Sequence, residues 1–311
     1  MSRIHEALRK AAQERAAIPT PDTSGVLLEG GVTTTAPGVG SAVEISAAAP
    51  APIMRAGDLQ FGHLLAQCAR PKWHADSNVN VFANSESGIE GAEQFRTLRS
   101  RLYQLRSNQS LRTLLVTSAI PGEGKTFVAH NLAQAIVRQS ERRALLIDAD
   151  LRRPRMHLAL GAPSAPGLSD YLRGTASEME IIQHGQEGNL CFIPGGSQVT
   201  NPSELLLSGG LKSLLERLTP IFDWIILDSP PCVPVADAHI LSDLCDGILL
   251  VVRAGATRAE VAHRASQELK GRNVVGVVLN AVDKPHLRGS LYYYQGSAYS
   301  YDSARPGTNG A

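Results

Sequence analysis

Three features of this 311-residue chain predict a doubly wound α/β domain with a mostly parallel sheet. Aliphatic runs alternate with helical periodicity from about residue 85 to residue 282. Two of those runs, Ile225-Ile226-Leu227 and Ile248 to Val252, are continuously apolar, as parallel strands buried on both faces must be. A glycine-rich segment with a lysine, Pro121-Gly122-Glu123-Gly124-Lys125-Thr126, separates a β-prone run from a helix-prone one, which puts a phosphate-binding loop at the carboxyl end of a strand.

In chain order, residues 1–17 carry Ile4, Ala7, Leu8 and Ala11 at helical spacing among charges, which predicts a short amphipathic helix suited to docking. Residues 18–84 are rich in Pro, Ala, Gly, Ser and Thr and are expected to form a low-complexity linker, with one apolar patch at Leu59, Phe61, Leu64 and Leu65 that suits either a helix or a docking peptide. The domain proper is expected over residues 85–282. It opens with a helix over 89–107, followed by a strand over 114–118, a helix over 125–140 and a strand ending at Asp148. Further strands are expected at 190–193, 224–228, 247–252 and 274–279, with helices over 203–218, 236–244 and 258–271 between them. From residue 283 the periodicity stops and Gly, Ser, Tyr and Pro take over, so a disordered tail is expected over 283–311.

The loop fits the G-x-x-x-x-G-K-[ST] pattern of P-loop NTPases, with Ala119 where the first glycine is usual. Glycines let the backbone aim its N–H groups at phosphate oxygens, and the helix start adds partial positive charge. Pro121, Gly122, Glu123, Gly124, Lys125 and Thr126 are therefore the expected nucleotide-binding residues, with Lys125 on the β- and γ-phosphates and Thr126 on Mg²⁺. Two other strands run into aspartates, Leu145-Leu146-Ile147 into Asp148-Ala149-Asp150 and Ile225-Ile226-Leu227 into Asp228. Neighbouring parallel strands end on one edge, so these carboxylates can converge on the loop. Asp228 suits Mg²⁺ holding.

Together these segments resemble the bacterial tyrosine kinases, P-loop enzymes associated with capsule and exopolysaccharide export. Residues 121–126 are similar to the family's Walker A motif, Ile147-Asp148-Ala149-Asp150-Leu151-Arg152 to its Walker A′, and Leu227-Asp228-Ser229-Pro230-Pro231 to its Walker B. Glu93, Arg96 and Arg99 match its E-x-x-R-x-x-R oligomerisation motif, although spacing by three also suits ion pairing within one helix. Five of the seven tyrosines, Tyr292, Tyr293, Tyr294, Tyr299 and Tyr301, lie in the tail where the family carries its phosphorylated cluster. The resemblance implies transfer of the γ-phosphate of ATP, with Mg²⁺, to the tail tyrosines of a neighbouring subunit in a ring. Lys125 and Asp228 would be catalytic. Asp148 would accept the tyrosine proton and Asp150 would belong to the Mg²⁺ network, an order the sequence leaves open. It also implies a transmembrane activator of the polysaccharide co-polymerase type and a phosphotyrosine phosphatase that resets the cluster.

Composition bounds the alternatives. Net charge is +1 with no basic block, which argues against a nucleic-acid partner. Cys68, Cys191, Cys232 and Cys245 show neither C-x-x-C nor zinc spacing. The longest aliphatic run, Ile248 to Val252, is far below the ~20 residues of a membrane span, so a cytoplasmic protein held at the inner membrane by its partner is expected. Two other readings stay open at this point: an ATPase switch of the Min/Par type, whose signature lysine is absent at Ala119-Ile120, and a nucleotide-binding scaffold of the export machinery.

Overall fold

The structure is a computed structural model, and it describes residues 56–83, 89–185 and 188–282. All of these lie in one compact unit. The expected amino-terminal helix and the tail tyrosines lie outside the described residues.

Seven strands form one sheet in the order β3-β4-β2-β5-β1-β6-β7. They are β1 (Thr113–Ser118), β2 (Ala144–Asp148), β3 (Gln183–His184), β4 (Leu190–Ile193), β5 (Trp224–Asp228), β6 (Gly247–Arg253) and β7 (Val274–Asn280). Every pairing is parallel except β3 with β4. The pleat sorts consecutive aliphatic residues to opposite faces. Leu114 and Val116 pack with Leu146 and Ile226 on one face, while Leu115 packs with Leu145, Ile147 and Leu227 on the other. That double burial is why these strands read as unbroken apolar runs.

The first face is covered by α2 (Ile89–Asn108), α3 (Lys125–Val137) and α4 (Met156–Leu160). The second is covered by α1 (Ala56–Gln67), α5 (Leu168–Leu172), α6 (Glu178–Ile181), α7 (Pro202–Leu207), α8 (Gly210–Leu218), α9 (Asp237–Ser242) and α10 (Ala259–Glu268). The single helical region expected over 203–218 is two helices, because Gly209 takes φ 83 and breaks it. The elements α4, α5, α6 and β3 were not anticipated. They are too short, at two to five residues, to show a period.

The largest departure is at residues 56–83, expected as linker. Phe61, Leu64 and Cys68 of α1 and its exit are buried, with the Phe61 ring edge-on to Phe222. The chain then wraps the sheet edge. Ala69 bridges to Gln183 of β3, Trp73 meets Phe192, and His74 N–H donates to Gly161 O. It finishes at α3, where Asn131 donates to Val79 O and accepts from Val81 N–H. Composition misled here because a few well-spaced apolar residues anchor an otherwise polar strap. The strap also protects the short β3 edge, which would otherwise expose unpaired backbone groups.

Candidate active site

Strands β2, β5 and β1 are adjacent and parallel, so their carboxyl ends deliver all three motifs to one edge. Asp148 and Asp228 are register partners across β2 and β5. After β1 the loop curls through Gly122 and Gly124 at φ 88 and 90, a left-handed conformation that strains any residue with a side chain. Gly124 is also the N-cap of α3, whose first turn carries no acidic residue, so its free N–H groups and dipole favour an anion.

Lys125 Nζ lies 3.1 Å from Asp150 Oδ2. The Thr126 hydroxyl donates to Asp228 Oδ2 at 2.6 Å, while Asp228 Oδ1 is buried with no partner among the described residues. Asp148 is fully buried, and its carboxylate accepts N–H groups from Asp150 (3.3 Å) and Met156 (3.0 Å). β2 ends at Asp148, and the turn that follows it brings Asp150 to the lysine. The cavity at this edge measures about 580 Å³, within the roughly 300–1,000 Å³ usual for ligand sites. Its walls include Gly122, Gly124, Lys125, Thr126 and Asp150, but neither Asp148 nor the Glu123 side chain.

The electrostatics follow from crowding three carboxylates around one lysine. Burial raises Asp148 well above the ordinary carboxylate range, and the Asp228 charge adds to this. Burial also raises Asp228, to about 6, against the lowering pull of Lys125 and the Thr126 hydrogen bond. Burial pulls Lys125 down, but Asp228 and Asp150 outweigh it, so the ammonium is held above its usual range. Arg152, Arg153 and Arg155 also stand among the cavity walls, and a divalent cation would add positive charge at the carboxylates themselves.

The donor set fits Mg²⁺. Thr126, Asp228 and Asp150 offer hard oxygens, and the buried Asp228 Oδ1 has no hydrogen-bond partner among the described residues. Among the described residues no three His, Cys, Asp or Glu side chains are grouped to hold a metal alone. Coordination would therefore be shared with phosphate oxygens and water, as is usual for Mg²⁺ at phosphates.

The raised Asp228 makes a prediction. A carboxyl whose folded pKa lies above its unfolded value contributes stability below the unfolded pKa, and that contribution is lost as pH rises through the folded one. Without nucleotide, stability should fall between about pH 4 and about pH 6. Asp228→Asn should lessen that fall, leaving the part due to Asp148, raise apo stability at pH 7.5 by about 1–3 kcal/mol, and abolish Mg²⁺-dependent nucleotide binding. Thermal melts at pH 5 and 7.5 check this; equal pH slopes for the two proteins would contradict it.

The expected oligomerisation residues divide. Glu93 and Arg96 form an exposed ion pair at 3.0 Å along α2. Arg99 turns inward and donates to Ala135 O of α3 at 2.6 Å, fastening the two helices. Within a single chain, then, the three do not act as one outward surface. Sequence reading also missed Asp237, fully buried, which accepts two hydrogen bonds from Arg152 (2.7 and 3.0 Å). Their separation of 85 positions, with no motif at Asp237, left no signal to find.

The loop, the dipole and the convergent carboxylates define a P-loop nucleotide-binding domain. Residues 114–294 match the CobQ/CobB/MinD/ParA nucleotide-binding domain family. The chain is 35% identical over 220 residues to the tyrosine-protein kinase YwqD of Bacillus subtilis (strain 168), covering 70% of this chain and 92% of YwqD. The kinase domain of Escherichia coli ETK superposes with a TM-score of 0.59 at 34% identity, over 70% of this chain and 80% of that one. The chimerical protein CapA2B2 superposes with a TM-score of 0.62 at 27% identity, over 73% and 99%. The chain belongs to the bacterial tyrosine kinase family, and its enzymatic class is protein-tyrosine kinase. The full-length Etk of Escherichia coli (strain K12) is longer, and this chain spans 30% of it.

Proposed function

We propose that the chain is an autokinase that transfers the γ-phosphate of ATP to Tyr292, Tyr293, Tyr294, Tyr299 and Tyr301 of a neighbouring copy, and thereby regulates exopolysaccharide or capsule export. The observation that carries the reading is the meeting of Lys125, Thr126, Asp150 and Asp228 at one edge of the sheet, a set suited to holding phosphates. Mg²⁺, when bound, would neutralise charge on the phosphates. Lys125 orients the phosphate chain, and Thr126 and Asp228 fix the metal's place. Asp148 is the proposed acceptor of the tyrosine proton, which requires the site to open to it, since it is buried and outside the cavity walls. Its raised pKa means it would have to lose its own proton first, which added positive charge beside Asp228 favours.

The ring, built on Glu93, Arg96 and Arg99, is part of the proposal and would require Arg99 to exchange Ala135 for a partner. Each phosphotyrosine adds roughly −1.5 to −2 charges, so a fully modified tail would carry on the order of −8 and repel its neighbours. A membrane activator of the co-polymerase type and a phosphotyrosine phosphatase complete the proposed cycle. No helix among the described residues is long and apolar enough to cross a membrane, so such an activator would provide the attachment.

The test is the intact mass of the full chain after incubation with Mg²⁺ and ATP. The expected result is a ladder of up to five phosphate additions mapping to residues 292–301. ADP release without any protein-bound phosphate, with the activator segment present, would favour an ATPase switch instead.

A further inference from the structure

We propose that Glu123 is a positioning residue that presets the phosphate loop, through a lock made with the ends of β6 and β7. A carboxylate within a loop that receives phosphate would repel it if it faced the cavity. Here the Glu123 side chain is buried and turned beneath the loop, away from the cavity walls. One oxygen accepts the Ile120 N–H at 2.7 Å, closing the loop on itself. The other accepts the Thr257 hydroxyl and, at 3.4 Å, the Arg253 N–H.

Two more contacts fasten the backbone. Arg253 Nη1 donates to Gly122 O at 3.3 Å, and Asn280 Nδ2 donates to Glu123 O at 2.8 Å. The Asn280 amide also fills the space that a Cβ on Gly124 would need. The loop is thus tied from below at residues 120, 122 and 123, while Gly122, Gly124, Lys125 and Thr126 present its upper side to the cavity. A loop already held in its binding shape has less entropy to lose when phosphate arrives. Neither Thr257 nor Arg253 belongs to a Walker motif, and neither lines the cavity.

The inference rests on the cavity being the nucleotide site, so Lys125→Ala is measured alongside. ADP affinity of the full chain is determined by calorimetry, with KM for ATP and kcat on the active protein. Glu123→Ala should weaken ADP about tenfold, the loss expected for one well-made buried hydrogen-bond set. KM should rise in step while kcat stays within about threefold, the pattern of lost uniform binding. Glu123→Gln should recover only part of the affinity, since its amide oxygen can still accept from Ile120 and its NH2 donate to Thr257 while meeting the Arg253 N–H donor to donor. Thr257→Val should weaken ADP about threefold to tenfold, and the double variant Glu123→Ala/Thr257→Val should be no worse than Glu123→Ala alone.

Wild-type affinity in Glu123→Ala, or additive losses in the double variant, would overturn the lock. Should Glu123→Ala fail to fold, Thr257→Val decides alone, and unchanged ADP affinity there overturns it. If Lys125→Ala also leaves ADP affinity unchanged, the nucleotide-site reading fails and the lock falls with it.

Discussion

Lys125→Ala should reduce tyrosine phosphorylation by at least about 10²–10³-fold, the loss typical of removing a preorganised charge from a transferring group. Lys125 is also the cation closest to the site's carboxylates, 3.1 Å from Asp150 and acting on Asp228 as well. Its removal should leave the fold intact but alter its pH response. Asp228, already at about 6, loses the group that lowers it, so its folded pKa climbs further. The decline in apo stability with rising pH should then extend above pH 6 in the variant. Phosphotyrosine immunoblots and melts at pH 5, 6.5 and 8 check both halves. A variant with near-normal phosphorylation would remove Lys125 from the mechanism.

Beginning the chain at residue 85, where composition placed the domain boundary, should produce an aggregating or unfolded protein. The deletion removes Phe61 and Leu64, both buried, together with the strap that covers β3. Losing a buried Phe or Leu costs about 2–5 kcal/mol each, and a domain's whole stability is about 5–15 kcal/mol. The exposed partners would include Phe222 and Phe192. A chain beginning at residue 53, the start of the compact unit, retains α1 and should melt cooperatively. Circular dichroism melts and size-exclusion profiles of the two fragments decide it. Equal melting temperatures would show that α1 is dispensable.

What could be read from the sequence was whatever has local physical cause. The strands at Ile225-Ile226-Leu227 and Ile248 to Val252 announced themselves because both faces are buried. The phosphate loop was legible because its glycines and lysine must be consecutive, and the motif aspartates because they terminate such strands. What was hidden depends on distant partners. Arg99 faces Ala135 rather than solvent, Asp237 holds Arg152, and Glu123 faces Thr257 rather than phosphate. The α1 helix was legible only as an apolar patch open to a helix or a docking peptide: Phe61 and Leu64 are buried among small and polar residues, too few to stand out as a period.

The strap leaving α1 has a mechanical meaning. It is fastened first at the sheet edge, through Ala69 and β3, and last at Asn131 on the helix that begins with Lys125. Tension applied from the amino-terminal side would therefore meet the β3 anchor before it met the phosphate-binding helix. The first fastening works as a strain relief, so a chain tethered by its beginning can be tugged without disturbing the geometry at Lys125 until that bridge gives way.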